Sequence, residues 1–190
     1  NGGASDDNWS SADNWEPNGV PQNDDIVVLD NTHVQNPSNN KYTVNIDQSL
    51  SNTSIKSLKI LPASGQSIDA VRESNLGTFE LTDFGSGSGT VLTIGNGGTF
   101  MDNTDDGLPG NFKNRDGEIL VKAGGVYEAT NNNSQFNTED LVESLASNSS
   151  KDGRVIFESD GQSISASGKT YPTSLTLKNN TGSAITYSTS

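Results

Sequence analysis

The stretch that decides the fold is Thr90-Val91-Leu92-Thr93-Ile94-Gly95-Asn96-Gly97-Gly98-Thr99-Phe100, in which a Gly/Asn turn separates two short β-runs. Similar strand–turn–strand units recur at 118–127, 154–164 and 174–185. A small unit of this kind cannot bury its apolar face alone, so successive copies stack on one another. The repetition therefore predicts a stacked, all-β architecture.

The spacing of the units is uneven. The residues before the four turns are Ile94, Val121, Phe157 and Leu177, which lie 27, 36 and 20 residues apart along the chain. We interpret this as a repeat of roughly 20–27 residues with loops inserted on one side, often the binding side. The insertions are expected at about 102–116 and 131–152. The second contains a short predicted helix near 137–147, because acidic residues in its first turn would stabilise the helix through its dipole.

Composition limits the classes of function. The chain has 190 residues, 29% hydrophobic residues, a net charge of −13 and no cysteine. The low apolar content leans toward disorder, but the apolar residues are grouped into short β-rich clusters, which favours an ordered fold. Disulfides and cysteine metal sites are excluded. The acidity argues against nucleic acid and anionic membranes as partners, and no apolar run is long enough to span a membrane.

The first 25 residues are polar and turn-rich but contain both tryptophans, Trp9 and Trp15. They precede the first β-run at 26–30, and further strands are predicted at 42–47 and 54–60. An open end of a stacked fold exposes its core and its strand edges, and both need a cover. Residues 1–25 are therefore predicted to form an N-terminal cap.

Residues 15–29, WEPNGVPQNDDIVVL, resemble the opening of a family of bacterial cell-surface proteins with an Asn-Trp motif, a Gly-Val-Pro turn and an Asp-Asp/apolar strand. Residues 55–60 and the later Leu-Thr-Ile…Gly-Gly units look similar to the rungs of autotransporter-like and gliding-type adhesins. The resemblance implies a parallel β-helix, adhesion, and a secreted or cell-surface location in a bacterium. It implies no specific reaction.

These observations predict one all-β domain over residues 1–190. We expect a right-handed parallel β-helix (β-solenoid), with the cap at 1–25 and the rungs at 26–190. The alternative is a β-sandwich, which short strands and regular turn signals also allow.

A calcium site is suggested by Asp102-Asn103-Thr104-Asp105-Asp106-Gly107. Oxygen ligands at alternate positions, Asp102, Thr104 and Asp106, followed by glycine match the first half of a calcium loop. Position twelve of that loop is Lys113 instead of the required glutamate, so Asp116 would have to replace it. The alternative interpretation is an exposed acidic loop.

Trp9 and Trp15 are the candidate ligand-binding residues. A flat aromatic face with a polar edge suits the stacking of sugar rings. Packing in the core or cap is the alternative for both residues.

The sequence favours a non-enzymatic function. Asp105 and Asp106 are neighbours on the chain, and in a strand they would point to opposite faces. His33 is the sole histidine, and Lys113 and Arg115 form the one basic pair beside acidic residues that merits consideration. We expect an adhesion or structural module that binds glycan with calcium; its oligomeric state stays open. The alternatives are a polysaccharide lyase or glycoside hydrolase fragment, and a carbohydrate-binding module.

Overall fold

The computed structural model describes twelve segments of the chain. They are residues 6–32, 40–47, 52–72, 78–82, 90–102, 112–115, 118–122, 124–129, 154–158, 163–165, 174–178 and 186–188. Within them lie fifteen strands and one short 3₁₀ helix, Ala12–Asn14. The protein is therefore all-β in its described part.

Fifteen strands follow one another along the described segments. They are β1 (Ile26–Leu29), β2 (Lys41–Ile46), β3 (Asn52–Ile55), β4 (Ser57–Ile60), β5 (Ser67–Arg72), β6 (Thr78–Thr82), β7 (Thr90–Ile94), β8 (Gly98–Asp102), β9 (Phe112–Arg115), β10 (Glu118–Val121), β11 (Val126–Ala129), β12 (Arg154–Glu158), β13 (Ser163–Ser165), β14 (Ser174–Lys178) and β15 (Thr186–Ser188).

The strands form four sheets. Sheet 1 has the order β1-β4-β7-β10, sheet 2 the order β14-β12-β11-β8-β5-β2, sheet 3 the order β3-β6-β9, and sheet 4 pairs β13 with β15. Every strand pairing in these segments is parallel. From β1 to β8, each strand pairs with the strand three positions further along the chain. This pairing differs from the antiparallel sheets of a β-sandwich.

Period-two alternation explains why these segments are strands with one buried face. In β5, Ile68, Ala70 and Arg72 are buried while the residues between them are partly exposed. In β8, Phe100 and Asp102 alternate in the same way. The register pairs Ala70 with Phe100 and Arg72 with Asp102, so inward residues of successive strands stack directly over one another.

The core is built mainly from these inward positions. Its apolar members are Trp9, Val27, Leu29, Val44, Ile46, Ile55, Leu58, Ile60, Ile68, Ala70, Phe79, Leu81, Val91, Leu92, Ile94, Phe100, Val121 and Tyr127. Full burial of one large aliphatic side chain contributes about 1.5–3 kcal/mol. The register between β7 and β10 shifts after Glu118, which leaves Val91 as an extra residue that is buried beside Leu92.

Three turns connect sheet 1 to sheet 2, and each has a glycine of positive φ at its third position. The φ angles are 78° at Gly65, 79° at Gly97 and 76° at Gly124. The turns close in the same way, since Gln66, Gly98 and Gly125 each donate a backbone N–H to the carbonyl three residues earlier. The turns also contact each other: the Gly97 N–H donates to the Gly124 carbonyl at 3.1 Å. Glycine is favoured here because other residues rarely adopt this φ.

The structure differs from some predictions about the elements, and one prediction falls outside the part that it describes. The β-run at 54–60 is two strands, because the chain passes from sheet 3 to sheet 1 at Lys56. The expected insertion at 102–116 contains β9. The unit at 154–164 does not stack on the unit at 118–127 with equivalent strands paired. Its first strand, β12, pairs with β11, so that Phe157 lies opposite Ala129 and not opposite Val121. The predicted helix near 137–147 lies outside the described residues.

Candidate functional site

The N-terminal segment covers the outer edge of β2. The Trp9 N–H donates to the Asn45 carbonyl at 2.7 Å, and the Asn45 N–H donates to the Asp7 carbonyl at 2.8 Å. Asn8 thereby forms a parallel bridge with Asn45. A strand edge left open would be a template for unwanted pairing, so residues 7–9 protect this end of sheet 2.

The two tryptophans occupy different environments in the cap. Trp9 is 0% exposed, and its ring centroid lies 4.7 Å from that of Trp15 and 5.6 Å from that of Phe79, both in edge contacts. The Trp15 Nε1–H donates to the Trp9 carbonyl at 2.8 Å. Trp15 is partly buried against the same core. Trp9 is part of the core and has no exposed ring face on which a sugar could stack. Trp15 keeps some exposed surface.

Two carboxylates hold the cap residues in place. Asp47 accepts the backbone N–H and the hydroxyl of Ser10, each at 2.9 Å. Asp6 accepts from the Asn8 N–H at 3.1 Å and from the Ser11 hydroxyl at 2.9 Å. Both hydrogen bonds hold the pKa of Asp6 below its ordinary value, and the bond from the Asn8 N–H has the larger effect. These acids thus stabilise the cap through hydrogen bonds.

The predicted calcium ligands are only partly described. Asp102 is buried at the end of β8, and its Oδ1 lies 2.9 Å from Arg72 Nη1 on the neighbouring strand. Thr104, Asp106 and Asp116 lie outside the described residues. Any cation at Asp102 would compete with the guanidinium for the same carboxylate. Calcium binding stays a prediction.

Tyr127 lies near this ion pair in the interior. Its ring stacks on Phe100 with the centroids 5.8 Å apart. Burial raises the pKa of the Tyr127 hydroxyl well above its ordinary range, and the negative charge of Asp102 raises it further. The positive charge of Arg72 lowers it by a smaller amount. Arg72 is not among the site residues that the sequence suggests. The alternation of Ile68, Ala70 and Arg72 is the signal that places this arginine on the inner face.

The candidate enzymatic residues do not form a described site. Lys113 and Arg115 lie on β9, where their backbones pair with those of Glu80 and Thr82. His33 is outside the described residues. In the part of the chain that the structure describes, no group of three or more His, Cys, Asp or Glu side chains is arranged to hold a metal ion. No helix within those segments is long and apolar enough to cross a membrane.

Comparison of the chain with protein-family models, with curated proteins and with solved structures gives no match. The physical features of the described residues are therefore the basis for a functional proposal. These features are the parallel pairing of strands three apart, the N-terminal segment that covers the edge of β2, and the net charge of −13.

Proposed function

We propose that the chain forms a right-handed parallel β-helix that acts as an adhesion or structural module of a secreted or cell-surface bacterial protein. The observation that carries the proposal is the pairing order, in which strands 1, 4, 7 and 10 share one sheet, 2, 5, 8 and 11 a second, and 3, 6 and 9 a third. A chain that visits three sheets in rotation, always in parallel, is what coiling into rungs requires. Right-handedness follows the general preference of parallel connections.

The adhesive role is supported by the different properties of the strands and the loops in such a fold. Stacked parallel strands supply a rigid support, and the loops between strands supply variable contact surface. The resemblance of residues 15–29 to bacterial surface proteins supports the same location and role. We propose glycan as the ligand class, with Trp15 as the aromatic contact and calcium as a cofactor of the acidic loop at 102–106.

The coiled path is tested by engineered disulfides, because the natural chain has no cysteine. Asp69 and Thr99 are register partners on sheet 2, and Lys59 and Thr93 are register partners on sheet 1. Cysteines at either pair should cross-link on mild oxidation, since paired Cα atoms lie within disulfide range. Cysteines at Asp69 and Met101 are the control, because this pair is offset by two residues. Equal cross-linking of matched and offset pairs would contradict the parallel register.

The adhesive role is tested on a glycan array with the intact chain. We expect retention on at least one glycan class, weakened about tenfold or more by Trp15→Ala through loss of a stacking contact. Glu16→Ala is the matched control, because Glu16 is exposed next to Trp15. If the chain binds no glycan, the proposal of a carbohydrate ligand is wrong. If Trp15→Ala and Glu16→Ala bind equally well, Trp15 is not part of the glycan site.

A further inference from the structure

The outer edge of sheet 1 is formed by β1, which presents apolar side chains to solvent. Ile26 is 54% exposed and Val28 is 46% exposed. Val27 and Leu29 alternate with them and are buried in the core. The strand is therefore apolar on both of its faces, which is unusual for a position at the end of a sheet.

The backbone of β1 has an open side as well. The carbonyls of Asp25 and Leu29 accept N–H groups of the β4 side, from Lys56 at 2.9 Å and Leu61 at 2.8 Å. In a parallel ladder alternate residues bond to the same neighbour, so the N–H and C=O groups of Ile26 and Val28 face away from β4. Among the described strands β1 pairs with β4 alone, so this side of β1 is the outer edge of sheet 1. The equivalent edge of β2, in contrast, is covered by residues 7–9.

The charges around β1 restrict what can pair with it. Asp24 and Asp25 precede the strand, and Asp30 follows it. Residues 6–32 contain seven acidic residues and no lysine or arginine. If a second copy paired through β1, these carboxylates would lie against each other, and like charges opposite one another destabilise paired strands. A strand with basic residues at both ends would complement the edge.

We propose that β1 binds an extended peptide segment of another protein by strand addition, and that this segment has alternating apolar residues flanked by lysine or arginine. Main-chain hydrogen bonds to Ile26 and Val28 supply affinity, and the exposed side chains and flanking acids supply selectivity. This site is separate from the proposed glycan contact and does not depend on it.

The test uses the full chain and a fluorescein-labelled synthetic peptide, KVTVTVK, followed by fluorescence anisotropy. We expect saturable binding, which weakens about tenfold for Val28→Pro because proline lacks the N–H that faces the open edge. Val28→Thr is the matched control: it keeps the N–H and should bind within about threefold of the natural chain. The charge-reversed peptide EVTVTVE should bind at least about tenfold more weakly.

Unchanged thermal melting of Val28→Pro is expected, since this N–H takes no part in pairing with β4. If the variant unfolds, the natural chain is titrated instead with KVTVTVK methylated on alternate backbone nitrogens, and loss of binding supports the proposal. No binding of KVTVTVK, equal binding by Val28→Pro, or equal binding of EVTVTVE would overturn it. So would a dimer of the natural chain in light scattering that Val28→Pro abolishes, because a second copy would then be the occupant.

Discussion

The buried pair of Arg72 and Asp102 is the most demanding arrangement of single residues in the interior. Both side chains are removed from water, and their contact of 2.9 Å joins neighbouring strands at a register position. Desolvation of two charges offsets much of their attraction, so the pair is weak evidence for stability but strong evidence for a specified register. A slip of one residue would move the arginine to the outer face.

Breaking this pair on one side should be costly. Arg72→Met leaves the Asp102 carboxylate buried without its guanidinium, and we expect a loss of about 3–5 kcal/mol in the free energy of unfolding. The double variant Arg72→Met/Asp102→Leu should lose much less, because no charge stays buried. Urea unfolding of the natural chain, both single variants and the double variant measures the coupling. Additive losses would show that the two side chains do not depend on each other.

Tyr127 should make the fold sensitive to alkali. Burial raises the pKa of its hydroxyl above the ordinary 10.0, so the unfolded chain loses this proton at lower pH than the folded chain does. The resulting stability is complete below pH 10 and is lost as pH rises further. Tyr127→Phe removes the titrating group, so its free energy of unfolding should fall less steeply between about pH 10 and 11. The free energy of unfolding is measured by urea unfolding at each pH. If it falls equally steeply with pH in the natural chain and in Tyr127→Phe, this assignment is wrong.

At the scale of elements, the repeated turns decide where sheet 1 gives way to sheet 2. Gly65 and Gly97 share nearly the same positive φ but differ in their surroundings. A Cβ on Gly65 would meet nothing within 4 Å, whereas a Cβ on Gly97 would clash with the Gln66 carbonyl oxygen of the adjacent turn. The two glycines therefore separate the cost of backbone conformation from the cost of close stacking.

Alanine at these two positions should have unequal effects. Gly65→Ala should cost about 1–2 kcal/mol, the price of positive φ for an L-residue. Gly97→Ala should cost clearly more, because the adjacent turn would have to move away. Thermal and urea unfolding of the two variants provide the comparison. Equal losses would mean that the turns are not held against each other.

Much of the strand pattern follows from the sequence, whereas long-range partners do not. The Gly/Asn turn predicted between two β-runs at 90–100 is confirmed by β7 and β8, and Ile94 is indeed paired with Val121. Period-two alternation cannot say which sheet a strand joins, so the sequence does not reveal that β12 of the unit at 154–164 pairs with β11 in sheet 2. The partner of Asp102 was also missed, since Arg72 lies 30 residues away and no local pattern links the two.

At the scale of the whole molecule, the net charge of −13 sets the solution behaviour. Mutual repulsion favours solubility, and it disfavours the approach of anionic partners. The same acidity makes divalent cations natural counter-ions, which is a separate matter from a specific calcium site. A specific site must respond to substitution of one ligand and not of a distant acid.

Calcium should therefore raise the melting midpoint if the predicted loop binds it. At a free concentration of about one hundred times Kd, binding to the folded chain adds roughly 2.7 kcal/mol to the free energy of unfolding. Asp106→Asn should reduce the response, and Asp24→Asn in the cap is the matched acidic control. Melting is compared in calcium and in chelator. An unchanged midpoint for the natural chain would show that the calcium prediction is wrong.

The bridge between Asn8 and Asn45, together with the ring contact between Trp9 and Phe79, also orders events in time. During synthesis the leading residues emerge from the ribosome first, but their partners emerge tens of residues later. Trp9 consequently cannot complete these contacts until β2 and β6 have been made, so residues 8 and 9 reach their final position only after those two strands. A nascent chain halted before residue 79 should accordingly bind a chaperone that recognises exposed aromatic side chains.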